Sequence, residues 1–154
     1  EKEEYETLLN NENVDAAIRS IEVSANVSSV SKIPEVRERL VEIQRQIGAN
    51  KGIVMDGRDI GTVVFPDAEL KIFMTASVEI RAKRRFDELS ASGIKVNLDE
   101  IRENITARDI TDENRDISPL RRADDAVLLD NSRISVSEQM EWVRRLIDSK
   151  LNDN

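Results

Sequence analysis

Two clusters of arginines and carboxylates stand out in a sequence with few other reactive side chains. Asp56-Gly57-Arg58-Asp59 sets a guanidinium between two carboxylates, at a turn that Gly57 loosens. The planar fork of Arg58 suits phosphate, and a neighbouring carboxylate can accept hydrogen bonds from a base amino group or a sugar hydroxyl. A surface turn with a local ion pair fits the same four residues. The second cluster is Arg108-Asp109-Ile110-Thr111-Asp112-Glu113-Asn114-Arg115. Arg108, Asp112 and Arg115 follow at steps of four and three, which places them on one face of a helix. Two arginines flanking one carboxylate suit a phosphate beside a ribose diol, whereas an exposed helix with i,i+4 ion pairs is the plainer reading. Arg81, Arg84 and Arg85, with Lys83 among them, form a third group. They read either as a solvated face or as the base of a lid that meets a triphosphate.

The chemistry is narrowed further by what the chain lacks. With no cysteine and no histidine, disulfides, thiol nucleophiles, zinc sites built on thiolate or imidazole, and Ser–His or Cys–His pairs are all excluded. Carboxylate, guanidinium, amine and hydroxyl remain. A net charge of −8 argues against a nucleic-acid partner, because such binding needs a basic face that releases counterions. The lack of cysteine fits a cytoplasmic location, and no apolar run approaches the roughly 18 residues that cross a bilayer. The first residues, Glu-Lys-Glu-Glu-Tyr, are acidic where a signal peptide would be basic. They also lack an initiator methionine, a hint of a longer parent chain.

The elements that must position these clusters follow from periodicity. At 154 residues one domain is expected. Apolar residues at three- and four-residue steps predict a helix from Val14 to about Ser31. Pro34 opens a second helix with Val36, Leu40, Ile43 and Ile47 on one face, stopped by Gly48. The apolar run Gly52-Ile53-Val54-Met55-Asp56-Gly57 reads as a buried parallel strand that delivers polar residues at its carboxyl end. Lys71–Ala76 repeats that pattern. Ser77 then caps a helix that carries Ala82, Phe86 and Leu89 toward the core. Asn97-Leu98-Asp99-Glu100 resembles a capping box for a helix running to about Thr111, and Ala126–Leu129 is a third strand. Ser135–Glu138 opens the last helix, with Met140, Val143, Ile147 and Leu151 on one stripe. Strands alternating with helices indicate an α/β domain with a mainly parallel sheet flanked by helices, and ligands of such sheets sit at the carboxyl ends of the strands.

The stretch from Asp56 to Asp67, Asp-Gly-Arg-Asp-Ile-Gly-Thr-Val-Val-Phe-Pro-Asp, with the following Lys71–Ala76 strand, closely resembles the bacterial cytidylate kinases, which are P-loop nucleoside monophosphate kinases. So does Arg108–Arg115, at the family's spacing. Val23–Ser31 and Pro34-Glu-Val-Arg37 look like that family's insert for binding the monophosphate, and the likeness runs from about Asn13 to Leu151. It implies a single kinase domain: the end of the insert at about 13–47, the core at 48–77 and 120–154, and a lid region with the Arg/Asp helix at 78–119. It implies that Ser28, Arg37 and Asp59 meet cytosine, that Arg58 and Arg115 bind the α-phosphate, and that Asp112 and Arg108 hold the sugar. Arg58, Arg108 and Arg115 would then stabilise the moving phosphoryl group, with Arg84 and Arg85 toward the donor. The implied reaction is ATP with CMP or dCMP giving ADP with CDP or dCDP, with magnesium accompanying ATP. A carboxylate, an arginine and a hydroxyl match the cytosine edge. Uracil would set a carbonyl against Asp59, acceptor facing acceptor.

The sequence departs from that family at one point. None of Gly48, Gly52, Gly57, Gly61 and Gly93 opens a Gly-x-x-x-x-Gly-Lys-Ser/Thr loop, so the β/γ-phosphate cradle and its magnesium ligand are missing. The chain alone is therefore expected to be N-terminally truncated, inactive as a kinase, and without bound ATP or metal. The family's P-loop strand lies between the strands at 53–56 and 71–76. Its loss leaves two apolar edges open to self-association. A non-catalytic nucleotide-binding or oligomerisation fragment, or another P-loop small-molecule kinase, are the alternatives.

Overall fold

The computed structural model describes residues 6–152 and, of Arg19, Ile21, Ser24, Ala25 and Ser28, the backbone alone. It divides into two compact units, Glu1–Ile47 and Gly48–Asn154.

The first unit opens with a two-stranded antiparallel hairpin, β1 (Leu8–Leu9) and β2 (Glu12–Asn13). Asn10 and Asn11 join the strands with φ of 53° and 67°. These left-handed values suit a tight hairpin turn, and asparagine tolerates them. The helix expected from Val14 to about Ser31 is interrupted. A 3-10 turn at Ala17–Arg19 precedes α1 (Ile21–Val30), and Ser20 between them is extended, with ψ of 155°. The Ser20 hydroxyl accepts from the Val23 amide, so a residue read as part of one long helix is the N-cap of a shorter one. The second helix, α2 (Pro34–Ile47), has the predicted limits. Its apolar face is not a core face within this unit, since Leu40 and Ile47 are 50% and 60% exposed. Val23, Val27, Val30, Val36 and Leu40 line an open apolar groove between α1 and α2.

The second unit is α/β. Strands β3 (Ile72–Thr75) and β4 (Val127–Asp130) form a small parallel sheet, with Ile72 opposite Val127 and Thr75 opposite Asp130. Three helices accompany it: α3 (Val78–Ala91), α4 (Leu98–Asn114) and α5 (Val136–Asn152). Local capping chemistry explains where each begins. The Ser77 hydroxyl accepts from the Ile80 amide, and the Asn97 side chain accepts from the Asp99 amide. At α5 the box is reciprocal: the Ser135 amide donates to Glu138 and the Glu138 amide donates to the Ser135 hydroxyl. Helix α3 packs on α4, and Ala82, Val64, Ala126 and Leu129 are the buried apolar residues.

One expected strand does not form. Ile53–Met55 carries no ladder hydrogen bonds among the described residues, and Val54 is fully exposed. A strand exists only as one side of a ladder, and β3 and β4 pair with each other rather than with this run. Beyond it the chain enters an unusual turn at Ile60–Val64, in which the Val64 and Phe65 amides bond five residues back, to the Asp59 and Ile60 carbonyls. Such wide π-turns are rare and cluster at functional sites.

Candidate functional site

The π-turn anchors the loop that carries Arg58 and Asp59. The Asp59 carbonyl accepts from the amides of Thr62, Val63 and Val64 at 3.3, 2.8 and 3.2 Å. Lys71, at the start of β3, fastens the far end of the turn. Its ammonium donates to the Pro66 carbonyl and to both oxygens of Asp125, at 2.9 and 2.8 Å. Its stem lies against Gly61, where a Cβ would come within 3.3 Å of the Lys71 Cδ. Only 8% of the Lys71 side chain is exposed, so the loop sits on a buried lysine whose charge Asp125 balances. Lys71 in turn holds the Asp125 carboxyl below the ordinary carboxylate range.

Helix α4 brings the second cluster to this loop. It runs three residues past the expected end at Thr111, so Arg115 is its C-cap, in an extended conformation, rather than a helical position. Behind it the chain folds back. The Leu120 amide donates to the Asp112 carbonyl at 2.7 Å, Arg115 Nε donates to the Ser118 carbonyl, and Ser118 takes a φ of 51°. Asp112 is the buried residue of α4. Arg58 Nε donates to its Oδ2 at 2.9 Å, Arg115 Nη1 stands 3.8 Å from Oδ1, and Arg108 Nε stands 3.9 Å from Oδ2. Arg115 Nη2 also lies 4.0 Å from Asp59 Oδ1. The side chains of Arg115, Asp112 and Asp59 are 6%, 8% and 9% exposed, and those of Arg58 and Arg108 nearly half exposed.

The structure therefore gathers Arg58, Asp59, Arg108, Asp112 and Arg115 into one network. Three arginines around two buried carboxylates leave a cationic surplus, and the half-exposed guanidiniums of Arg58 and Arg108 present it to solvent. That arrangement can take an anion on the arginines and a hydroxyl or amino group on the carboxylates. Ser28, on α1, has a side chain outside the described residues. Arg37 is half-buried on α2, and both belong to the first unit. On α3, Arg84 reaches the carboxyl end of β4, donating to the Asn131 side-chain and backbone oxygens at 3.0 and 2.7 Å. Arg85 pairs with Glu88 along its own helix.

Arg81 departs from its grouping with Arg84 and Arg85. It holds Asp109 by two parallel hydrogen bonds of 2.9 and 2.6 Å, and its Nε donates to the Ala76 carbonyl at 3.0 Å. Asp109 keeps the Arg81 guanidinium above its already high pKa. The two residues are 28 positions apart, and no local pattern in the sequence marks the pair. The described residues contain no group of three or more His, Cys, Asp or Glu placed to hold a metal ion. Among them, too, no helix is long and apolar enough to cross a membrane.

The family model described as cytidylate kinase matches residues 1–149. The chain is 56% identical over 146 residues to the cytidylate kinase of Phocaeicola vulgatus, covering 95% of this chain and 64% of that protein. It is 58% identical over 137 residues to that of Bacteroides fragilis, covering 89% and 60%. Against the cytidylate kinase of Porphyromonas gingivalis the identity is 52% over 139 residues, covering 90% and 60%. The chain thus spans about three-fifths of the length of the curated relatives it matches.

Proposed function

Because this chain belongs to the cytidylate kinase family, we propose that its Arg/Asp network is the monophosphate half of a kinase site for CMP or dCMP. One observation carries this reading: Arg58, on a loop, and Arg108 and Arg115, from α4 and its cap, converge on buried Asp112 from positions up to 54 residues apart. In this arrangement Arg58 and Arg115 bind the α-phosphate, and Asp112 with Arg108 holds the sugar hydroxyls. Asp59 receives the cytosine amino group.

The reaction is transfer of the ATP γ-phosphoryl. An oxygen of the CMP phosphate forms a bond to the γ-phosphorus, the bond to the β,γ-bridging oxygen breaks, and ADP leaves with that electron pair. Such transfer depends on position and charge neutralisation rather than on a side-chain nucleophile. The residues here serve those ends. Arg58, Arg108 and Arg115 draw the acceptor phosphate in and offset charge on the moving group, and Arg84 and Arg85 approach the donor. Magnesium would accompany ATP and neutralise its phosphates. The described residues hold no ligand cluster for it. The proposed setting is the cytoplasm.

Calorimetric titration of the chain with CMP, UMP and cytidine tests this reading. Heat is expected with CMP, little with UMP, and weaker binding of cytidine, which lacks the phosphate. Asp59→Ala should reduce CMP affinity more than UMP affinity. Equal losses for the two nucleotides would remove Asp59 from base recognition, and equal affinity for CMP and cytidine would remove the arginines from phosphate binding.

A further inference from the structure

The helix that carries Arg108 and Asp112 packs on α3 with Ile101 and Ile105 half-buried, but it seats no apolar side chain fully. No apolar side chain of α4 is buried, and Leu98 and Ile110 are 40% and 56% exposed. Its one buried residue is Asp112, a ligand-type group. Polar contacts can add to that packing in fixing the rotation and height of this helix, which matters because a site of this kind works only when its guanidiniums sit within a fraction of an ångström of their targets.

Arg81 has the geometry for that task. Its Nη1 and Nη2 grip Asp109 by a two-bond fork, and its Nε is spent on the Ala76 carbonyl, just beyond the end of β3. One planar group thus ties the end of the sheet to α4. Its grip on α4 is at the residue next to Arg108 and three before Asp112. A fork resists rotation of the helix in a way that a single point charge does not.

We propose that Arg81 and Asp109 are positioning residues for the phosphate-binding arginines. The fork sets the register of α4 against β3, and thereby the places of Arg108, Asp112 and Arg115. This rests on the monophosphate-site reading for its ligand, but not for its geometry. Neither residue touches the nucleotide in this scheme. Both side chains are about one-third exposed, at 34% and 30%, so losing the fork should lower Tm by only a few degrees.

The test uses Arg81→Lys, which keeps the charge and loses the fork, and Asp109→Asn, which keeps the shape and loses the charge. Two readouts are taken on the whole chain: the Nε–Hε NMR signals of Arg58 and Arg115 without ligand, and titration with CMP and cytidine. Either substitution should shift or broaden both arginine signals and weaken CMP about tenfold, with cytidine affected about twofold or less. The double variant should be no worse than the poorer single one. Unchanged arginine signals with CMP affinity as in the wild type, beside a lowered Tm, would overturn the proposal and leave the pair a strut. If the wild-type chain bound no CMP, the monophosphate reading would fall. The arginine signals would still decide the positioning role, supporting it if they moved and overturning it if they did not.

Discussion

Asp112 offers the sharpest perturbation, because its replacement by asparagine should move two ligands in opposite directions. In the wild type its carboxylate faces Arg58 at 2.9 Å, Arg115 at 3.8 Å and Arg108 at 3.9 Å. Arg58 and Arg108 are nearly half exposed and can turn to water once the charge is gone. Arg115 cannot, with 6% of its side chain exposed, though Asp59 stays beside it. Removing one partner of a buried ion pair costs about 3–5 kcal/mol. The remaining carboxylate and the two solvated arginines bring Asp112→Asn down to about 2–3 kcal/mol, a Tm lower by about 4–12 °C. The ligand effects are separate. A phosphate on these arginines would lie about 6 Å from the lost charge, worth about 3 kcal/mol at an effective dielectric of about 20. Salt and the open rim reduce that to about 1 kcal/mol. Inorganic phosphate or pyrophosphate should therefore bind about fivefold tighter to the variant. CMP should bind about tenfold weaker, because the charged acceptor for its sugar hydroxyls is gone. Titrations at fixed ionic strength, well below both melting points, measure both. If phosphate and CMP weakened together, the residue would hold the arginines in place rather than hold the sugar, and the division of roles would be wrong.

Two further predictions concern the scaffold. Asp125 is held below the ordinary carboxylate range by its bonds to Lys71. Its contribution is therefore present above an unfolded pKa of about 3.9 and lost as pH falls through the lower folded value. Asp125→Asn should melt below the wild type by a constant margin down to about pH 5, and the margin should narrow as pH falls further below the unfolded pKa of about 3.9; a margin of the same size at every pH would contradict the pairing. Gly48→Ala should destabilise by about 1–3 kcal/mol, because a Cβ would come within 2.7 Å of Phe65 Cε1 and 2.8 Å of Ile53 Cδ1. An unchanged thermal midpoint would mean that Phe65 and Ile53 swing aside without loss.

What the sequence made legible was local. The starts of α3, α4 and α5 follow from Ser77, Asn97 and Ser135, each of which satisfies an amide within three residues. Strands β3 and β4 follow from short apolar runs, because both find a partner. Ile53–Met55 has the same kind of run and no ladder partner among the described residues, and apolarity cannot tell the two cases apart. Ser20 looked helical because its neighbours are. Asn10 and Asn11 do carry a local signal for their turn, two residues tolerant of positive φ in succession. The steps of four and three drew Arg108, Asp112 and Arg115 together, although Arg115 arrives from the cap rather than from the helix face. No periodicity could have revealed the π-turn, the fork of Arg81 or the ion pair of Lys71, because these depend on where distant backbone oxygens and carboxylates come to rest.

Four of the bonds that join the second unit share one property. Arg58 meets Asp112 and Lys71 meets Asp125 across 54 residues, Ser77 meets Ser132 across 55, and Arg84 meets Asn131 across 47. The register that sets Ile72 against Val127 spans a segment of similar length. Closing a flexible loop of that size costs about 3–4 kcal/mol of chain entropy. Once β3 and β4 have paired, that cost falls for these contacts, since each joins points already brought nearer. The ion-pair network is therefore neither an early nucleus nor a late addition. It is expected to form with the parallel ladder, so loss of ligand binding and loss of the sheet should trace a single transition.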